Sequence, residues 1–229
     1  MRDQPNRFVP RVARQASLAA AILFMPALAL AQASIDLPVA GAAGYSPFGK
    51  PETQTYGQTF RTPDATNVGL TDFSFWMTSN PDGMFKAYVY AWDQALGHAV
   101  GPALFTSAVM GEPTAGGGYQ QVLVNTGGVT LDPLAQYVAF FSTSGLGGSG
   151  TTTWAQTSAD YADCSFVYFN NADNLGALTT QSWDCTDCRD VAFQANFSPV
   201  VATPEPASVV LLATGLIGII GVARRRVPG

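Results

Sequence analysis

Between residues 34 and 200, the sequence is a succession of short runs in which every second side chain is apolar or aromatic. The clearest run, LTDFSFWM, places Phe73, Phe75 and Met77 on one face of an extended chain. The cluster SNPDG (79–83) closes this run, because proline presets a turn and glycine accepts a positive φ angle. A two-residue alternation gives one apolar face only to an extended chain, so these runs are predicted to be β-strands.

Similar runs recur along the same region, separated by glycine, proline, asparagine and aspartate. The region is poor in lysine, glutamate and leucine, which favours strands and tight turns over helices. The pattern predicts an all-β fold with one β-sandwich or jelly-roll domain at residues 34–200. The predicted strands lie in TYGQTF, LTDFSFWM, MFKAYVYAWD, YQQVLVNTGG, AQYVAFFSTSG, CSFVYFN, LTTQSW and DVAFQANFS.

Residues 56–144 also resemble a β-sandwich seen in many bacterial surface proteins with interchangeable anchors. The resemblance rests on QTF, FSFWM, AYVYAWD, GPALFTS and VNTGGVTLDPLAQYVAFFSTS, which follow one another in that order. It implies the sandwich fold. Because that domain type has no settled activity, the resemblance implies no particular chemistry.

Residues 1–31 have the parts of a secretory signal peptide. Four arginines precede an apolar stretch at 18–30, and an A-x-A site ends at Ala31, with Ala33 as the second choice for cleavage. An uncleaved amphipathic anchor is the alternative, but the apolar stretch is short for a membrane span. The sequence therefore predicts export.

The charge of the predicted exported body is strongly negative. The whole chain has 11 basic and 16 acidic residues, but seven of the basic ones lie in the two terminal segments. Residues 34–206 keep four basic residues against 15 acidic ones, which gives a net charge of −11. Nucleic-acid binding needs clustered lysine and arginine, so no nucleic-acid partner is predicted.

No motif in the sequence predicts catalysis. His98 is the single histidine and is expected in a glycine-flanked loop. There is no G-x-S-x-G and no H-E-x-x-H motif, and paired carboxylates for a glycosidase are not distinguished from scattered loop acids. The chain is predicted not to be an enzyme.

No metal or cofactor is predicted either. Cys₃His zinc ligation would need two close ligand pairs, and the sequence offers only one. The acids near the cysteines lack the EF-hand spacing for calcium. They are Asp160, Asp163, Asp173, Asp184, Asp187 and Asp190.

Cys164, Cys185 and Cys188 are the only cysteines, and an exported protein is expected to form one disulfide from them. A hairpin of CSFVYFN with LTTQSW would bring Cys164 to Cys185 or Cys188. If CSFVYFN instead paired directly with DVAFQANF, Cys185–Cys188 would be the pair within reach. The hairpin of CSFVYFN with LTTQSW, and with it a disulfide of Cys164, is favoured.

Tyr88, Tyr90 and Trp92, together with Trp76, are the best candidates for a glycan-binding face. The first three alternate along MFKAYVYAWD, and flat aromatic rings on a sheet stack on sugar rings. The alternative is that these rings belong to the core or are shielded by a loop, because each sheet of a sandwich buries one face.

The carboxyl end has three parts. Pro204, Glu205 and Pro206 are followed by 17 uncharged residues at 207–223, about 25 Å of helix, which predicts one short membrane helix. A cluster of three arginines then predicts a cytoplasmic stop-transfer signal. Its members are Arg224, Arg225 and Arg226.

Residues 201–229 resemble the PEP-CTERM sorting signal of Gram-negative bacteria, with the PEP motif at 204–206. The resemblance implies that exosortase, a membrane enzyme, recognises this tail near the inner membrane and releases the body to the cell surface or beyond. Proteins with this signal are associated with exopolysaccharide and biofilm. The resemblance therefore implies a structural or adhesive protein, with a carbohydrate-binding module as the alternative.

Overall fold

The structure is a computed structural model of the 229-residue chain, and it describes residues 32–114, 116–162, 165–185 and 189–200. These residues form twelve β-strands and one short 3₁₀ helix, with no α-helix among them. The all-β prediction is therefore confirmed for the described residues. The elements are β1 (Ala33–Leu37), β2 (Gly44–Lys50), β3 (Thr55–Arg61), β4 (Gly69–Met77), β5 (Met84–Asp93), β6 (His98–Thr106), β7 (Met110–Gly111), β8 (Gln120–Thr130), β9 (Gln136–Ser142), β10 (Gly150–Ala155), β11 (Phe166–Phe169), η1 (Leu175–Thr179) and β12 (Phe193–Ser198).

Strand β4 is the centre of the first antiparallel sheet. β12 pairs with one edge of β4, from Phe193 opposite Phe75 to Ser198 opposite Gly69. β10 continues the line of β12 and meets β4 at Met77, while β8 pairs along the other edge of β4. β1 and β2 lie outside β12 and β10. Both edges of β4 are thus paired, as suits the most aromatic strand of the sheet.

The second antiparallel sheet has the order β11-β3-β9-β5-β6, with β7 also paired to β5. β3 and β9 pair from Thr55 opposite Ser142 to Arg61 opposite Gln136. Every residue of β9 is buried, so this strand is covered on both of its faces. The second sheet therefore has packing on its outer side as well as on its inner side.

The two sheets face each other across an aromatic core. The ring of Phe75 in the first sheet lies 5.1 Å from that of Phe141 in the second, and Trp154 lies 5.3 Å from Phe141. Phe73, Phe75 and Met77 are all fully buried, so the inner face predicted for LTDFSFWM is confirmed. The arrangement is sandwich-like, and its interior is filled mainly by rings that make edge and tilted contacts.

The outer side of the second sheet is covered by the segment that contains η1. Asn174 caps η1, because its side-chain oxygen accepts a hydrogen bond from the Gly176 amide. Leu178 and Trp183 are then buried against β5 and β9. The prediction of a strand at 178–183 is therefore wrong. The cap at Asn174 favours a 3₁₀ turn, and burial of Leu178 and Trp183 on the outer face of the second sheet stabilises this segment without strand pairing.

The two described ends of the chain lie at one end of the sheets, which we call the tail pole. Ala33 at the start of β1 pairs with Phe197 near the end of β12. Ser198 lies opposite Gly69, where β4 begins. The predicted sorting signal therefore leaves the body at this pole.

The opposite end of the sheets, where β4 ends, is the loop pole. Asn80 ties its loops together, since its amide N–H donates to the Pro113 carbonyl at 2.8 Å and its side chain to the Ser149 carbonyl at 3.0 Å. The nine residues of β4 separate the two poles by roughly 26 Å. The described loop residues at this pole are 41–43, 78–83, 112–114, 116–119 and 144–149.

No helix within the described ranges is long and apolar enough to cross a membrane. The predicted signal peptide (1–31), the sorting signal (201–229) and its membrane helix (207–223) lie outside the described residues. These boundaries stay predictions.

Candidate functional site

An open groove of about 610 Å³ lies at the loop pole on the outer face of the first sheet. Its aromatic residues are Trp76 and Tyr119, both half-buried. Trp76 points outward because its neighbours Phe75 and Met77 point into the core. The volume is typical of small-ligand sites. The other described lining residues are Val39, Gly41, Ala42, Thr78, Gly118 and Thr153.

Tyr119 joins the two sides of the groove. Its hydroxyl donates a hydrogen bond to the Ala42 carbonyl at 3.0 Å, which attaches the 41–43 turn to the glycine-rich loop before β8. Gly44 makes room for this contact, because a Cβ there would lie 2.2 Å from the Tyr119 hydroxyl oxygen. The absence of a side chain at Gly44 thus allows Tyr119 to take this position.

A row of polar side chains crosses three strands beside the groove. Gln121 on β8 lies opposite Trp76, and Gln194 on β12 lies opposite Ser74. The Gln121 side-chain nitrogen donates to the Ser74 hydroxyl oxygen at 3.0 Å and lies 3.5 Å from the Gln194 side-chain oxygen. Leu123 follows on the same face and is 59% exposed. This sheet face therefore offers aromatic, aliphatic and amide groups side by side.

Glu112 is a second unusual group at the loop pole. It is 3% exposed, and neither carboxylate oxygen has a hydrogen-bond partner among the described residues. The surrounding space has no room for a water molecule. Burial raises the pKa of Glu112 from its ordinary 4.5 to about 7, and the Asn80 side chain lowers it by less. Glu112 is therefore a carboxyl group whose charged form is poorly solvated.

Lys50 lines the same narrow space as Glu112 but is held elsewhere. Its Nζ donates to the Leu146 carbonyl at 2.7 Å and lies 2.7 Å from Asp173 Oδ1. The ion pair lowers the pKa of Asp173. Lys50 thus anchors the 144–149 loop to Asp173 and not to Glu112.

The predicted glycan-binding residues do not form one surface. Tyr88, Tyr90 and Trp92 lie on the outer side of the second sheet, whereas Trp76 lies on the outer side of the first. Tyr88 and Trp92 are each 8% exposed, and the Trp92 ring meets that of Trp183 at 5.5 Å. Tyr90 is half-buried against Phe140 at 5.6 Å. Tyr88, Tyr90 and Trp92 are therefore largely shielded from solvent, which agrees with the alternative that these rings belong to the core or are covered by a loop.

Two of the three cysteines lie outside the described residues, namely Cys164 and Cys188. Cys185 is exposed. The Phe166 amide donates to the Arg189 carbonyl at 2.8 Å, so the strand after Cys164 runs beside the chain after Cys188. An antiparallel bridge between Tyr168 and Asp184, with amide-to-carbonyl hydrogen bonds of 2.9 and 3.0 Å, also pairs this strand with the residue that follows LTTQSW. The disulfide stays a prediction.

The remaining candidate residues take part in the fold. His98 is the first residue of β6 and not part of a loop, and its Nδ1 lies 2.8 Å from a backbone carbonyl oxygen. Asp190 accepts a hydrogen bond of 2.5 Å from the Gln58 side chain. Within the described ranges, no three histidine, cysteine, aspartate or glutamate side chains are placed to hold a metal ion.

Comparison with known families bears on the carboxyl end. Residues 202–226 match the model of the PEP-CTERM protein-sorting motif. The chain carries a PEP-CTERM sorting motif. This motif marks substrates of exosortase, and it implies export and transient membrane anchoring before processing to the cell surface. Pro204, Glu205 and Pro206 fall within the match, as do Arg224, Arg225 and Arg226.

The PEP-CTERM motif begins at residue 202, shortly after β12 ends at Ser198. The body and the motif are therefore joined by a very short connection at the tail pole. Neither a search of curated proteins nor one of solved structures finds a match for the chain.

Proposed function

We propose that the chain is an exported surface or extracellular-matrix protein with a structural or adhesive role in exopolysaccharide or biofilm. The observation that supports this function is the PEP-CTERM motif at 202–226. In this proposal the signal peptide (1–31) directs export, and exosortase separates the body from the membrane tail. The body itself, a single sandwich or jelly-roll domain, is not catalytic and binds no cofactor.

The chemistry of the tail fits this order of events. From the sequence, the two flanking prolines predict that Glu205 is extended and lies outside the predicted helix. The uncharged segment 207–223 holds the motif at the bilayer surface, and the arginines stop transfer on the cytoplasmic side. The motif is thus presented to a membrane enzyme while the body is already outside.

Processing is tested with the full-length chain carrying a carboxyl-terminal epitope tag, expressed with and without exosortase. We expect the tag to be lost from the exported body only when exosortase is present. Glu205→Ala should keep the tag, whereas Val200→Ala, outside the matched motif, should lose it as the parent does. Export of the body with its tail intact in cells that have exosortase would contradict the proposal.

A carbohydrate-binding role is the second candidate. The observation that favours it is the open groove of about 610 Å³ beside Trp76 and Tyr119 on the outer face of the first sheet. The stripe on the second sheet gives it little support, since Tyr88 and Trp92 are buried in one cluster with Trp183.

A further inference from the structure

We propose that the groove and the polar row beside it bind a neutral polysaccharide chain, with a sugar ring on Trp76 and its hydroxyl groups on Gln121 and Gln194. The inference rests on the proposed function and names its ligand class and its site. The ligand chain would run along the outer face of the first sheet, from the loop pole toward the middle of β4.

The apolar part of this site suits the flat C–H face of a pyranose ring. Trp76 and Tyr119 line the groove, and Leu123 extends the apolar surface along β8. Leu123 is 59% exposed although it lies in a strand, so this part of the sheet keeps an apolar side chain in contact with solvent. A sugar face can cover such a surface without burying an unpaired polar group.

The polar part supplies both kinds of hydrogen bond. The Gln121 side-chain oxygen and the Gln194 side-chain nitrogen have no partner in the hydrogen bonds described for residues 32–200 outside the gaps. One is an acceptor and the other a donor. A sugar hydroxyl both donates and accepts, so the two amides can hold neighbouring hydroxyls. The Gln121–Ser74 hydrogen bond at 3.0 Å orients the Gln121 amide, and the Gln194 side-chain oxygen lies 3.5 Å from its nitrogen.

Charge points to a neutral ligand. None of the described residues that line the groove is charged. The exported body, by contrast, has a net charge of −11. An acidic polysaccharide would be repelled by the body and would find no cation in the groove, whereas a neutral chain meets neither penalty.

The position of the site suits an envelope protein. The groove lies at the loop pole, roughly 26 Å along β4 from the tail pole where the sorting motif leaves. The groove and the last described residues of the chain therefore lie at opposite ends of the first sheet. Binding and sorting can occur on the same molecule without competing for space.

The test uses the purified full-length chain in mild detergent. The probes are neutral hexasaccharides of β-1,4-glucan, β-1,3-glucan, α-1,6-glucan and β-1,4-mannan, with an oligouronate as the charged comparison, and affinities are measured by calorimetry. We expect at least one neutral probe to bind and the oligouronate not to bind. Trp76→Ala should weaken the affinity about tenfold or more.

A matched leucine pair keeps the test decisive if Trp76→Ala does not fold. Leu123 and Leu134 are 59% and 60% exposed, but Leu134 lies near the tail pole. Leu123→Ala should weaken binding several-fold, and Leu134→Ala should leave it unchanged. The proposal is overturned if no neutral probe binds, if the oligouronate binds better, or if both leucine variants bind like the parent. None of these outcomes affects exosortase processing, which the tag experiment measures separately.

Discussion

Replacing Glu112 by glutamine should make the protein more stable at alkaline pH. It should also remove the part of the pH dependence of the unfolding free energy that comes from ionisation of Glu112. Glu112 is 3% exposed, its oxygens have no partner among the described residues, and no water molecule fits beside them. Lys50 lines the same space, but it is engaged by Asp173 and Leu146. The charged form of Glu112 is therefore poorly compensated, because the Asn80 side chain offsets only part of the cost of burial.

The size of the effect follows from the pKa. Burial raises the pKa of Glu112 from 4.5 to about 7, a difference worth about 3 kcal/mol. Because the folded-state pKa lies above the unfolded one, the folded protein binds more protons between about pH 4.5 and pH 7. The contribution of Glu112 to stability is therefore most favourable below about pH 4.5 and falls as the pH rises to about 7. The loss is complete above that pH.

The assay is urea unfolding of the full-length protein in mild detergent, followed by tryptophan fluorescence, at about pH 4.5 and about pH 8. We expect the stability difference between Glu112→Gln and the parent to change by about 3 kcal/mol between these conditions, in favour of the variant at the higher pH. The cost of burying the glutamine amide does not depend on pH, so it changes the stability difference by the same amount at both pH values. Asp82→Asn, at an exposed carboxylate of the neighbouring turn, is the control for removing one negative charge. A difference that stays constant with pH would refute the reasoning.

Two further predictions concern the body. Phe141→Ala should destabilise the protein by about 3–5 kcal/mol in urea unfolding, because Phe141 is fully buried and contacts Phe75 and Trp154 across the two sheets; a loss below about 1 kcal/mol would argue against a shared core. A disulfide involving Cys164 should leave one thiol per chain in a titration under denaturing, non-reducing conditions, and three thiols would exclude it.

The sequence predicts side-chain burial best where the alternation within a single strand decides it. Alternation along LTDFSFWM predicted the burial of Phe73, Phe75 and Met77, because side chains of a strand must point to opposite faces. The same alternation does not say which sheet a strand joins. For this reason Trp76 was grouped with Trp92, although the two strands lie in different sheets.

Other features had no local signal. Tyr119 follows a glycine-rich loop, and its role depends on Ala42, which is distant in sequence. Glu112, in the loop sequence GEPT, has the composition of a solvent-exposed turn. It is buried because residues from distant segments, among them Lys50, Gly83 and Thr143, line the space around it. Both residues could be identified only from contacts between distant segments.

The pairing of β12 explains how the tail can be removed without harm to the body. β12 lies between β1 and β4, so the last described strand is held on both edges and contributes Phe193 and Phe197 to the core. The PEP motif begins only after this strand has ended at Ser198. A cut near Glu205 therefore breaks no described strand pairing, whereas a cut before Phe193 would remove a central strand. The short connection is thus placed where processing leaves the fold of the exported body intact.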